Sequence, residues 1–249
     1  MSMETPKSSD QGSRARFVPT RWSLVAKASN PNAAIAREAM EELVRAYWWP
    51  MYAYVRGLRT TREDAADIVQ GLLTNLLETR RLESAGVDRG RFRNWIRAAL
   101  KFHMGHDRER AATLKRGGTF RTIGLDEAEA ERRWNHVANR NLDPDRLFDR
   151  AWALEVIRHA ASVVEQAYAA RGKSALFDAL KHTLVPGTGK AGFAGVAARL
   201  GKSEGAVKVE AQRLRVRYQK ALRDEVRSTV EDPRDADAEF KELLAALQP

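Results

Sequence analysis

Apolar residues recur every three or four positions through most of this 249-residue chain. That spacing is typical of one buried face of an α-helix. No segment shows sustained alternation of apolar and polar residues with β-branched side chains, which a half-buried strand favours. The chain is therefore predicted to be all-α, with two small helical domains joined by a linker.

Capping and helix-breaking residues indicate where individual helices begin and end. Asn32 is expected to cap a helix that starts at Ala33, and Pro50 is expected to break or kink it. Thr61 and Asp64 form a capping-box pattern ahead of the next amphipathic run. Further helices are predicted over 91–110, 126–136 and 174–182, and from position 144 or 145 onward.

Composition changes along the chain divide it into segments. The polar residues 1–16 predict a disordered arm, and residues 117–145, rich in Gly, Asp, Asn and Pro, predict a linker. The two helical domains are then 17–116 and 146–230. Residues 231–249 form an acidic tail with apolar residues at helical spacing. This tail is interpreted either as an extra helix packed on the C-terminal domain or as a cover for its basic surface.

The charge distribution makes nucleic acid the first partner to consider. The chain has 43 Lys and Arg against 33 Asp and Glu, a formal charge of +10. Residues 151–228 carry 14 basic and seven acidic side chains, whereas residues 229–249 carry two basic and six acidic ones. A local excess of cations is what the neutralisation of phosphates requires.

Several classes of protein are disfavoured by composition. The absence of cysteine excludes a disulfide scaffold, a thiol nucleophile and a Cys-ligated metal. No apolar run is long enough to predict a membrane span or a secretory signal, so we expect a cytoplasmic protein. His103, His106 and Asp107 have a spacing that suits a metal, but three such residues are weak evidence for a site. Neither a full Walker motif nor a Ser/His/Asp arrangement is recognisable, and we expect no cofactor and no enzymatic activity.

The most specific stretch is 193–218, which predicts a helix-turn-helix in the C-terminal domain. A short helix ends at Gly201, where a left-handed turn needs no Cβ. Ser203 is expected to cap a longer basic helix, and Val207, Ala211 and Leu214 are expected to form its buried stripe. The alternative is an ordinary helical hairpin with a solvated basic face.

The candidate DNA contacts of this unit fall into two groups. Those expected to read base edges near the start of the second helix are Ser203, Glu204, Lys208 and Gln212. Those expected to contact phosphates are Lys202, Arg213, Arg215 and Arg217.

The segment 203–208 followed by 213–215 resembles region four of bacterial RNA polymerase sigma factors. Upstream segments resemble sigma region two in the same order, namely 47–56, 63–70 and 89–97. Together they are similar to the two-domain, extracytoplasmic-function (ECF) group of sigma factors. The resemblance covers about 20–228, and segments 20–25, 115–118 and 148–153 further resemble a planctomycete-like subgroup.

The resemblance implies a role for each half of the chain. The helix that docks on the β′ clamp helices of the polymerase core is matched here by Asp64, Asp67 and Gln70. In this family the core also contacts the sigma factor through its β subunit. Gly71 stands where an acidic residue is usual. Residues 81–92 and the helix after them match the segment that opens the minus-ten element, whose candidate DNA-contacting cations are Arg91, Arg93, Arg97, Lys101, Arg108 and Arg110. Two aromatic residues there, Phe92 and Trp95, are expected to lie in the core.

Some positions depart from the commoner residues of the family, namely Phe102, Ala206, Glu210 and Gln212, so a promoter sequence is not carried over. The implied function is a sigma factor that binds RNA polymerase core and directs promoter-specific initiation at promoter DNA. It would read the minus-ten and minus-thirty-five elements, with an anti-sigma factor or a Ser/Thr kinase as potential regulators. The alternative is a stand-alone helix-turn-helix regulator that does not bind core.

Overall fold

The computed structural model describes residues 21–28, 30, 32–78, 91–111, 127–137, 142–184 and 192–248. Regular structure within these ranges is helical throughout, without a strand, which confirms the all-α prediction. The α-helices are α1 (Arg21–Ala28), α2 (Ala33–Gly57), α3 (Arg62–Glu78), α4 (Phe92–Ala111), α5 (Glu127–Val137), α6 (Pro144–Ala169), α7 (Ser174–Leu180), α8 (Phe193–Leu200), α9 (Glu204–Ser228) and α10 (Ala236–Ala246). Short 3₁₀ turns cover Lys181–Leu184 and Pro233–Asp235.

Side-chain caps set the N-termini of α2 and α3 as the sequence predicts. The Asn32 side chain accepts hydrogen bonds from the backbone N–H groups of Ala34 and Ile35, at 3.0 and 3.4 Å. The Thr61 hydroxyl oxygen accepts one from the N–H of Asp64, at 3.1 Å. Each cap satisfies donors that a helix start otherwise leaves without a partner.

Pro50 does not end α2, which continues through it to Gly57. A proline inside a helix costs about 3 kcal/mol. The residues around it are buried, and the rings of Trp48 and Tyr52 stack with centroids 5.0 Å apart. Burial of several large aromatic side chains, each stabilising by about 1.5–3 kcal/mol, outweighs that cost.

The larger hydrophobic core is built around α2 and α6. It takes buried residues from α1 to α6, together with Val226 of α9 and Leu243 of α10. The start of α6 approaches the end of α2 closely: a Cβ added at Gly57 would lie 2.7 Å from Leu147 Cδ1 and 3.3 Å from Pro144 Cα. The glycine thus permits the contact between these two helices.

A second, smaller core lies between the end of α6, α7, α8 and the first half of α9. Val164 and Tyr168 of α6 belong to it, whereas Phe148 and Trp152 of the same helix belong to the larger core. Since α6 and α9 each contribute to both cores, the two clusters are joined by continuous helices.

Helix α5 agrees with the short helix predicted at 126–136 within the linker. Its Glu131 carboxylate accepts a hydrogen bond from Arg56 Nε at 2.9 Å and another from the Tyr52 hydroxyl. The rest of the predicted linker (117–126 and 138–141), the arm 1–16 and the loop 81–90 lie outside the described residues. None of the described helices has a stretch long and apolar enough to cross a bilayer.

Candidate nucleic-acid interface

The helix–turn–helix segment has the local geometry that its sequence predicts. Gly201 ends α8 in the left-handed region, with φ 61° and ψ 33°. The Ser203 hydroxyl oxygen caps α9 by accepting a hydrogen bond from the N–H of Ala206 at 3.2 Å. Val207, Ala211 and Leu214 are fully buried in the smaller core. The opposite side of α9 therefore faces outward along its first half.

Most of the candidate DNA contacts on this unit are exposed. The exposed ones are Lys202, Ser203, Glu204, Lys208, Gln212, Arg213 and Arg217. Lys208 Nζ lies 2.7 Å from Glu204 Oε1, and Arg213 Nη1 lies 3.0 Å from Glu210 Oε1. Such pairs between exposed side chains of one helix contribute little stability. They can exchange their partner for a phosphate at small cost.

Two of the cations on α9 also stabilise the smaller core. The Nε of Arg215, which is half-buried, donates a hydrogen bond to the Thr183 carbonyl oxygen at 3.1 Å. The guanidinium of Arg217 lies over the Tyr168 ring, 5.2 Å from its centroid. Arg215 thus ties the 3₁₀ turn after α7 to α9, and its loss would affect folding as well as binding.

An acidic surface lies on the outer side of α3. Asp64 and Asp67 are exposed and form no ion pair within the described part of the chain, while Gln70 is half-buried. A Cβ added at Gly71 would lie 3.0 Å from His103 Nε2. The close approach of α3 and α4 therefore gives a physical reason for glycine where the resemblance leads one to expect an acid.

The candidate cations of α4 lie in a different environment. Arg93 is only 3% exposed. Its guanidinium pairs with Glu239 at 2.8 Å, with Asp149 at 2.6 Å, and with Glu242. Arg91 pairs with the same two glutamates, 2.9 Å from its Nε to Glu239. Side chains that the sequence suggests for DNA are thus bound within the molecule.

The pattern continues along α4. Arg97 Nη1 lies 3.2 Å from Asp149 Oδ2, and Lys101 Nζ lies 2.9 Å from Asp145 Oδ1. We call Arg91, which directly precedes α4, together with Arg93, Arg97 and Lys101 of α4 the α4 cation row. We call Asp145, Asp149, Glu239 and Glu242 the acid set. The four carboxylates equal the four cations in number, and they come from the start of α6 and from α10, two from each. Several of them are shared between cations.

Aromatic faces also contact the row. The cation-to-centroid distances are 4.5 Å for Arg93 over Trp152, 5.5 Å for Arg97 over Phe148, and 5.6 Å for Lys101 over Tyr54. Contacts of this kind stabilise a cation, more strongly where water is excluded. The row is therefore held by both ion pairs and ring faces.

The protonation of this cluster follows from burial and pairing. Burial alone would lower the pKa of Arg93, but the hydrogen bonds that it donates to Glu239 and the charges of Glu239, Asp149 and Glu242 raise it above its usual value. Partial burial would raise the pKa of Glu242, but Arg91 and Arg93 lower it below the ordinary range. Each partner thus stabilises the charged form of the other.

The acid set was not predicted from the sequence, although a charge pattern was present. Asp145 and Asp149 are four residues apart, the spacing that also separates Arg93, Arg97 and Lys101. Acidic and basic residues at the same helical spacing are consistent with facing helices, but do not reveal which helices face each other. The side chains of two further candidate cations, Arg108 and Arg110, lie outside the described residues.

The aromatic residues of α4 divide into buried and exposed. Phe92 is buried, and Trp95 is half-buried and packs against the larger core, as predicted. Phe102 is 55% exposed, beside Lys101 of the row. The described residues hold no cluster of three metal-ligating side chains, and the side chains of His106 and Asp107 are not among those described.

Comparisons with known proteins add no relative. No protein-family model matches the chain, and no match is found among curated proteins or among solved structures.

Proposed function

We propose that this protein is a sigma factor that binds the core of bacterial RNA polymerase and directs transcription from specific promoters. The observation that carries the proposal is the exposed acidic face of α3, Asp64 and Asp67, on a chain that also has a capped, basic and outward-facing α9. A protein that only binds DNA does not need a docking face for polymerase, so the α3 face is where the two kinds of protein differ.

The α3 face has the chemistry of a docking surface for a basic partner. Thr61 fixes the first turn of α3, so the carboxylates of Asp64 and Asp67 project from a rigid element. They lie three residues apart and are therefore neighbours on the same side of the helix. Carboxylates arranged in this way suit arginines on the partner, and complementary charge increases both specificity and association rate.

The role proposed for α9 is recognition of duplex DNA at the minus-thirty-five element. The capped first turn is exposed, so Glu204 and Lys208 can approach base edges when α9 enters a major groove. Lys202 and Arg213 stand outside the buried stripe and suit phosphates on either side. The role proposed for α4, with its cation row and exposed Phe102, is contact with the opened minus-ten strand, because separated strands are bound by cations and stacking aromatic rings.

The alternative is a stand-alone helix-turn-helix regulator, which the α8–α9 unit would serve equally well. The two functions differ in what α3 binds. A pull-down of the full chain with purified core polymerase therefore separates them. Core binding is expected for the sigma factor, whereas tight binding to duplex DNA without core binding would favour the regulator.

A charge reversal on α3 sharpens that experiment. We expect Asp64→Lys combined with Asp67→Lys to weaken core binding about tenfold or more, because attraction across the interface becomes repulsion. Glu38→Lys combined with Glu165→Lys is a matched control, since both glutamates are exposed and lie on other helices. An equal effect of the two double variants would contradict docking through α3.

A further inference from the structure

Helix α10 supplies half of the acid set although it lies 146 residues along the chain from its main partner, Arg93. Glu239 is fully buried and binds Arg93 through both carboxylate oxygens, at 2.8 and 3.1 Å. Glu242 contacts Arg91 and Arg93 together. Arg91 and Arg93, the first two cations of the row, are therefore covered by one short helix.

Ion pairs and apolar contacts together attach α10 to the rest of the molecule. The helix has 11 residues, fewer than an isolated helix needs to be stable in water. Leu243 is buried in the larger core, whereas the neighbouring Leu244 is 48% exposed. Phe240, Ala246 and Leu247 also pack, partly buried, against the larger core, so apolar contacts and the ion pairs of Glu239 and Glu242 together hold α10 in place. Helices α2 and α6 pack directly on each other, so α10 can leave while that contact remains.

We propose that α10 is a built-in competitor of nucleic acid for α4: its Glu239 and Glu242 occupy Arg91 and Arg93, and a nucleic-acid strand binds there only when α10 leaves. The inference rests on the proposed function, because it takes the α4 cation row to be a nucleic-acid-binding surface. It adds a regulatory step within the chain, in which docking of α10 lowers the affinity of α4 for a nucleic-acid strand.

The chemistry of the contact supports competition. A carboxylate and a phosphate both bind a guanidinium through paired N–H···O hydrogen bonds. Arg93 is nearly inaccessible while α10 is docked, so a phosphate cannot reach it without displacing Glu239 or Glu242. Binding of a strand and docking of α10 are therefore linked equilibria, and weakening one strengthens the other.

The first test compares two variants of α10 that remove the same charge. Glu242→Gln breaks the contact with Arg91 and Arg93, whereas Asp237→Asn removes an exposed carboxylate one turn away. The readout is the affinity of the full chain for a short fluorescein-labelled single-stranded DNA, followed by anisotropy. We expect Glu242→Gln to raise the affinity at least about fivefold over Asp237→Asn, the lower end of typical coupling between linked sites. Equal affinities of the two variants would overturn the proposal.

The second test holds α10 in place. Arg150 Nη1 of α6 donates a hydrogen bond to the Gln248 carbonyl oxygen, so these residues are neighbours. Because the chain has no cysteine, Arg150→Cys and Gln248→Cys allow selective cross-linking with a reducible bifunctional thiol reagent. We expect the cross-linked protein to bind the strand more weakly, and reduction to restore the affinity in the same sample. Identical affinity before and after reduction would contradict the proposal.

These measurements contain no polymerase, so their failure differs from failure of the proposed function. Core binding together with strand affinity that does not respond to the cross-link would overturn the role of α10 and leave the sigma function intact. Strand binding that is controlled by α10, in a chain that does not bind core polymerase, would support the role of α10 and overturn the sigma function. Absence of strand binding from Glu242→Gln and from the reduced protein would overturn the proposed competition itself.

Discussion

Arg93 keeps its charge between α4, α6 and α10 because three carboxylates and the Trp152 face surround it. Bringing a guanidinium out of water is costly, and the paired hydrogen bonds of Glu239 and Asp149 offset that cost. The same arrangement buries Glu239 completely. The two side chains therefore depend on each other: without Arg93, the buried Glu239 keeps only its pair with Arg91 among the described residues, and without Glu239, Arg93 keeps only Asp149 and Glu242.

This dependence leads to a stability prediction. Arg93→Ala is expected to lower the free energy of unfolding by about 3–5 kcal/mol, the usual effect of removing one partner of a buried ion pair. Arg97→Ala is the control, because Arg97 is more exposed and its pairs are nearer the surface; a loss of about 1 kcal/mol is expected there. Urea unfolding followed by circular dichroism gives both values. Similar losses for the two variants would contradict the account of Arg93.

At the scale of the helical elements, α9 combines two tasks on two sides. Its inner stripe, Val207, Ala211 and Leu214, fills the smaller core. Its outer side carries cations that are exposed, such as Arg213, and others that also hold the fold, such as Arg215. Only the first kind can be replaced without disturbing the core.

The salt dependence of DNA binding tests the outer side of α9. Arg213→Ala is expected to weaken duplex binding and to reduce the slope of log K against log salt by about one unit, because one phosphate contact is lost. Arg223→Ala is a control with the same charge change at another exposed position on α9. The slope is measured by titrating labelled duplex at several salt concentrations. An unchanged slope for Arg213→Ala would contradict a phosphate contact.

Elements whose signals are local were predictable from the sequence. Periodicity and caps give the starts of α2 and α3, the extent of α4 and α5, and the turn at Gly201. Of the break or kink predicted at Pro50, the break does not occur, because burial of the aromatic neighbours outweighs the cost of the proline. The partners of the α4 cation row depend on contacts between distant segments, and no local pattern encodes which helices face each other.

At the scale of the whole molecule, α6 and α9 connect the two hydrophobic cores, and the acid set connects α4 to the C-terminal half. The ion pairs between the α4 cation row and the acid set therefore join the half proposed to bind the minus-ten strand to the C-terminal half. A strand or a protein that binds α4 acts on α10 through the same carboxylates. Assembly of the proposed complex and release of α10 are then parts of one equilibrium.

Acidification should weaken the ion pairs that Glu242 of α10 makes with Arg91 and Arg93. In the folded protein the pKa of Glu242 is lowered by Arg91 and Arg93, so its contribution to stability is present above the ordinary glutamate pKa. That contribution is lost as the pH falls through the lowered value. We expect the difference in free energy of unfolding between the wild type and Glu242→Gln to be constant above the ordinary glutamate pKa and to shrink as the pH falls through the lowered pKa of Glu242. Urea unfolding across this range measures it, and a pH-independent difference would contradict the assigned ion pairs.

A sigma factor gives promoter specificity to RNA polymerase, and that activity is what the proposed function requires of this chain. The most direct measurement is transcription in vitro from fragmented bacterial DNA by purified core polymerase, with and without the full-length chain, followed by sequencing of transcript 5′ ends. We expect discrete start sites that appear only with the chain and that weaken when Asp64 and Asp67 are replaced by lysine. The same scattered starts with and without the chain, under conditions in which the chain binds DNA, would contradict the proposed function.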